Sequence, residues 1–139
     1  MNNNVLQIVS EMNKLIYDSH FDIQEFDALL EALEKRDIAI RLLDFVNNDE
    51  ASLKRIMESK RKFVLMERFD YAARLRDDEH SCRWHIQYRE KLEVKQSGFI
   101  FEEGVVSYCY LQTAPYDERI YNYLKRLKGV WYFTREAYL

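Results

Sequence analysis

A chain of 139 residues is long enough for one compact domain, or for one domain with an appended hairpin, and too short for two of full size. Its 47% hydrophobic and 14% aromatic content exclude a disordered chain. A net charge of −3, with 32% of residues charged, excludes a globally basic nucleic-acid binder and leaves room only for a local basic patch.

Two cysteines, Cys82 and Cys109, and the lack of a secretory signal point to a reduced cytoplasmic protein rather than a disulfide-stapled secreted fold. No apolar run approaches the roughly eighteen residues of a membrane span, so no membrane partner is expected. All three glycines (Gly98, Gly104, Gly129) and the single proline, Pro115, lie beyond residue 97. That asymmetry predicts a mainly α-helical fold: a helical region over residues 1–97, with a small, aromatic-rich α+β element over residues 98–139 packed on it. The one plausible boundary is at residues 95–98.

Asn2, Asn3 and Asn4 precede a run in which Val5, Ile8, Val9, Met12, Leu15 and Ile16 share one face. This predicts a first helix, capped by one of the asparagines and ending near Ser19 and His20. Residues 21–26 then form a complete helix-start signal. Asp22 is the N-cap, Glu25 three residues later closes a capping box, and Phe21 and Phe26 make a hydrophobic staple. The stripe of this second helix runs through Phe26, Leu29, Leu30 and Leu33, then slips to Ile38, Leu42 and Phe45. Either the helix rotates its buried face or it breaks near residues 35–37, with the stretch to residue 97 expected to stay helical.

Asn47, Asn48 and Asp49 supply the next turn and a cap. Over residues 49–96 the pattern predicts two helices folded back on each other at Arg68, Phe69 and Asp70. Leu53, Ile56, Met57, Phe63 and Val64 recur at helical spacing on the first arm, and Ala72, Leu75, Cys82 and Ile86 on the second. Neither arm hides its apolar side alone, so the two stripes are expected to cover each other or a third element. Ala72 and Ala73 mark the expected closest approach of the backbones. Phe69 is expected to plug the open end of the hairpin, and Asp70 to cap the second arm. Arg76 and Asp77 point about 100° apart on a helix and are expected to reach separate elements or a partner. The basic cluster Lys54, Arg55, Lys60, Arg61 and Lys62 on one arm and Asp77, Asp78 and Glu79 on the other favour antiparallel pairing, by about 0–1 kcal/mol per exposed pair.

Within the second arm, Phe69, Ala72, Ala73, Leu75, Arg76 and Asp77 form a pattern of turn aromatic, Ala-Ala pair and apolar-Arg-Asp triplet. It resembles the UVR motif, the short helical hairpin of bacterial excinuclease subunits B and C and of some Clp-associated adaptors. Glu79 stands where that family usually continues with an apolar residue. The resemblance implies protein–protein contact, because hairpins of this family dock on a partner's hairpin or on a copy of themselves. On that resemblance Phe69, Ala72, Ala73 and Leu75 would pack and Arg76 and Asp77 would give specificity, in an adaptor connected with DNA repair or regulated proteolysis.

Beyond Gln96, residues 99–101 and 105–111 read as two β-rich runs joined by Glu102, Glu103 and Gly104. An isolated β-hairpin is marginal, so it should pack on a helix. Pro115 opens one, Tyr116, Ile120, Tyr123, Leu124 and Leu127 form its apolar face, and Gly129 ends it. Residues 130–134 would add a third strand. Tyr108, Tyr110, Tyr116, Tyr121, Tyr123, Tyr132 and Tyr138 are too many to be buried together, so some are expected to line a surface.

The chain offers little chemistry. His80, Cys82 and His85 are of metal-ligand type, but a structural site needs four ligands in recognised pairs, and a buried Cys82 beside solvent-facing histidines is the simpler reading. There is no phosphate-cradling glycine loop, nucleophile elbow or dinucleotide fingerprint. The expectation is a non-enzymatic interaction protein without metal or cofactor. The competing expectation is nucleic-acid contact through Lys54, Arg55, Lys60, Arg61 and Lys62, or through Lys125, Arg126 and Lys128 beside Trp131, Tyr132 and Phe133.

Overall fold

The computed structural model describes residues 2–127 and 131–132. In chain order its elements are α1 (Asn2–Tyr17), α2 (Ile23–Glu34), β1 (Ile40–Asp44), α3 (Glu50–Leu65), α4 (Phe69–Leu92), β2 (Gly98–Glu102), β3 (Val105–Tyr110), α5 (Asp117–Arg126) and β4 (Trp131–Tyr132). The protein is mainly helical with a small α+β element. It divides into two compact units, one built from the segments ending at Leu43 and starting at Lys95, the other from Asp44–Val94. The expected division at residue 97 differs from this one, because the first two helices share a unit with the C-terminal strands.

In the α+β unit the periodic face of α1 is realised in full: Val5, Ile8, Val9, Met12, Leu15 and Ile16 are all buried. The cap at Asp22 forms as expected, its carboxylate accepting from the Gln24 amide at 2.9 Å, and Phe21 meets Phe26 at 5.9 Å between ring centroids. Phe26 lies at the centre of the aromatic core, within 6.0 Å of both Phe99 and Tyr123. The break after α2 is a backbone closure in which the Ile38 amide reaches the Leu33 carbonyl and the Asp37 amide reaches Glu34, with Asp37 left-handed at φ 55°.

Residues 38–45, expected to be helical, instead supply an interior strand. Ile40, Arg41, Leu42 and Leu43 are buried in succession, as both faces of such a strand must be. The sheet order is β2-β3-β1-β4, so β1 has neighbours on both sides. β1 runs parallel to β4, with Ile40 opposite Trp131. The buried Arg41 guanidinium donates to the Ser107 hydroxyl from Nε at 3.3 Å and Nη2 at 3.2 Å.

β2 and β3 form the expected antiparallel hairpin, with Glu102 opposite Val105 and left-handed Glu103 and Gly104 (φ 55° and 76°) as the two turn residues. The outer edge of β2 is covered by a side chain: Asn13 donates to the Phe99 carbonyl at 3.0 Å and accepts from its amide at 2.6 Å, taking the place of a further strand. α5 buries Ile120 and Leu124. It starts at Asp117 rather than at Pro115. The expected helix end at Gly129 and the strand ends at Val130, Phe133 and Thr134 lie outside the described residues, as does Tyr138.

Candidate functional site

The second unit is a helical hairpin. Asp44 organises its entry, its carboxylate accepting from the amides of Val46 and Asn47, each at 3.1 Å. Asp49 then caps α3 through the Ser52 amide at 2.7 Å, and that bond holds its carboxyl below the usual range. α3 and α4 pack against each other along Ser52, Ile56, Ser59, Lys60 and Phe63 on one side and Ala72, Leu75, Glu79 and Cys82 on the other, all among the residues of each helix least open to solvent. At the closed root Phe45, His85 and Trp84 form an edge-on aromatic cluster, with centroids 6.0 Å and 5.0 Å from the His85 ring. His85 is buried and its Nδ1 donates to the Ser81 carbonyl at 2.8 Å. This corrects the solvent-facing histidine expected there; His80 is exposed and Cys82 buried, as expected. Burial pushes the Cys82 thiol up and the His85 imidazole down, the opposite of an activated nucleophile and its base. Among the described residues no three His, Cys, Asp or Glu side chains are grouped to hold a metal.

Midway along the hairpin the two arms are joined by charge. Glu79 is only 8% exposed, accepts from Lys60 Nζ at 2.7 Å and faces Arg83 Nε at 3.3 Å. The bond from Lys60 is the main reason its carboxyl lies below the usual range. The expected attraction between arms is therefore present, through Glu79. Lys60 is withdrawn by this pair from the basic cluster, and Arg55 donates to the Ser52 hydroxyl at 2.9 Å, while Lys54, Arg61 and Lys62 are exposed.

At the distal end the motif residues separate. Ala72 is buried between the arms, Leu75 is half-buried and Ala73 faces solvent, so only one alanine of the pair serves close approach. The turn is made by residues 66–68, two residues earlier than expected. The Arg68 amide reaches the Phe63 carbonyl and the Glu67 amide reaches Val64, with Glu67 left-handed at φ 57°. Phe69 consequently starts α4 and points outward, 63% exposed, so it does not plug the hairpin. That place is taken by Phe63 stacked on Tyr71 at 5.3 Å. Asp70 lies 4.0 Å from Arg68 instead of capping α4. Arg76 and Asp77 are both exposed and lie 4.0 Å apart, correcting the expectation that they avoid each other.

These displacements leave an apolar cap at the tip. Val64, Leu65, Met66 and Phe69 are 46%, 77%, 54% and 63% exposed. Tyr71 adjoins them beneath the Arg68 guanidinium, 4.6 Å from its ring centroid, with Arg74 at 5.7 Å. Sequence reasoning missed Leu65 and Met66; the signal was four consecutive large apolar residues, Phe63 to Met66, which no single helix face can bury. Compared with known proteins, the chain matches no family model, no curated protein and no solved structure.

Proposed function

We propose that this chain is a non-enzymatic, bacterial-type interaction protein that binds another protein through the distal end of its helical hairpin. The observation that carries the reading is the exposed cluster Val64, Leu65, Met66 and Phe69 at the tip. Large apolar side chains gathered on a water-facing surface are the signature of a face that another molecule covers. Lys62, Arg68 and Arg74, with Glu67 and Asp70 among them, make a margin of mixed charge that suits a partner with an apolar centre and a polar rim. The UVR-like pattern of Phe69, Ala72, Ala73, Leu75, Arg76 and Asp77 supports the same reading and links it to DNA repair or regulated proteolysis. The roles divide: Phe69 touches the partner, Ala72 and Leu75 hold the hairpin, and Ala73, Arg76 and Asp77 border the contact.

The test compares capture by the intact chain with capture by two variants of unchanged helicity, Leu65→Asp/Phe69→Asp and Arg76→Glu/Asp77→Lys. Loss of the captured protein with the first variant, and weakening with the second, is expected. Full capture by the tip variant would remove the tip from the interface. A second reading, nucleic-acid contact, is favoured by the exposed Lys54, Arg55, Arg61 and Lys62 on α3. It requires affinity for oligonucleotides that falls by orders of magnitude between low and moderate salt, whereas the protein-binding reading requires none.

A further inference from the structure

We infer that α3 carries a self-complementary face on which a second copy of this chain docks, antiparallel and about a two-fold axis. The inference rests on the hairpin being an interaction module and adds a site distinct from its tip. A shallow cleft of about 350 Å³ runs along the outside of α3, lined by Glu50, Leu53, Lys54, Met57, Glu58 and Arg61. These positions recur at three- and four-residue intervals, so they form one stripe along the helix. Leu53 and Met57 make its apolar floor, and Met57 is held from α4 by the Arg83 guanidinium, whose Nη2 lies 3.3 Å from the sulfur.

The order of charges on the rim identifies the occupant. Along the helix it reads Glu50, Lys54, Glu58, Arg61, alternating in sign. A polyanion laid in this cleft meets two carboxylates, which disfavours nucleic acid there. An antiparallel copy of α3, turned about an axis level with Ile56, meets Glu50 with its own Arg61, Lys54 with its own Glu58, and Leu53 with its own Met57. Every contact is then made twice, as two-fold symmetry requires. Of the further cations on α3, Lys60 is neutralised by Glu79 and so adds no charge to this rim. A contact about three turns long lies at the small end of specific interfaces, so association on the order of micromolar is expected.

Sedimentation of the full chain tests the register. Wild type is expected to dimerise at tens of micromolar on that scale. Lys54→Glu and Glu58→Lys each place like charges opposite each other twice, and should each weaken self-association by at least about tenfold. An equimolar mixture of those two variants should form a heterodimer, and the double variant should recover the homodimer. A monomeric wild type, a dimer indifferent to Lys54→Glu, or a mixture that stays monomeric would overturn the inference. Loss of partner capture on Leu65→Asp/Phe69→Asp alongside any of these leaves the tip reading standing and removes only the α3 face. Unchanged capture by the tip variant with intact charge-swap behaviour does the reverse.

Discussion

Two buried carboxylates with opposite environments give this protein opposite responses to acid. Glu79 is stabilised as an anion by Lys60 and Arg83, so its contribution is present above the ordinary glutamate value of 4.5 and is lost as pH falls through its depressed native value. Glu79→Gln is expected to cost about 1–2 kcal/mol at neutral pH, since it leaves Lys60 facing an uncharged group. Urea titrations should show the gap from wild type closing below about pH 4. Asp117 is fully buried, accepting from the Ser97 and Tyr108 hydroxyls and from the Gln112 amide at 2.7 Å. Burial outweighs those bonds and raises its carboxyl above 3.8. Its contribution is therefore greatest below 3.8 and declines as pH rises through the raised native value. Asp117→Asn removes that slope and turns a donor toward other donors, so about 1–3 kcal/mol of stability should be lost, most visibly in acid. Cys109, whose thiol burial pushes up to about 12, is expected to resist alkylation in the native state.

At the scale of elements, the ends of the helices explain both what was readable and what was not. Asp22 and Asp49 cap their helices as their positions announced, because a cap is a local bond between a short side chain and an amide two or three residues away. Asp37 and Glu67 end α2 and α3 in the left-handed conformation that glycine ordinarily supplies, so nothing in their identity marked the stop. The displaced turn then rotated Phe69 out of the hairpin. Glu67→Gly is expected to raise stability by about 0.5–1 kcal/mol by relieving the left-handed penalty, as measured by thermal unfolding. Ala72→Leu should cost about 1–3 kcal/mol by overpacking the arms, and Ala73→Leu less than about 0.5 kcal/mol at its exposed site. β1 was hidden for another reason. Ile38, Leu42 and Phe45 fit a helical period, and Arg41 interrupts what is otherwise a short apolar run; its bonding to a residue as distant as Ser107, 66 residues away, is what suits that arginine to an interior strand.

For the whole molecule, charge and aromatic chemistry are divided between regions. Residues 50–92 hold eleven Lys or Arg against eight Asp or Glu, a net of +3 in a chain whose net charge is −3. Of the tyrosines, some of which were expected to line a surface, Tyr108 and Tyr110 are buried and Tyr116, Tyr121 and Tyr123 half-buried, several of them bonded within the α+β unit. Tyr116 donates to the Ser19 carbonyl, Tyr17 to Ser97, Tyr123 to Asp27, and Tyr110 stacks on Tyr121 at 4.0 Å. Large exposed apolar side chains concentrate on the hairpin, with Leu6 and Tyr17 the others among the described residues. On the proposed function, the hairpin would be the part that meets other molecules and the α+β unit the structural part. Oxidative footprinting of Met66 and Phe69, in cells and in the dilute purified protein, tests that division most directly. Strong labelling of the dilute protein with marked protection in cells is the predicted result; equal labelling in both would contradict it.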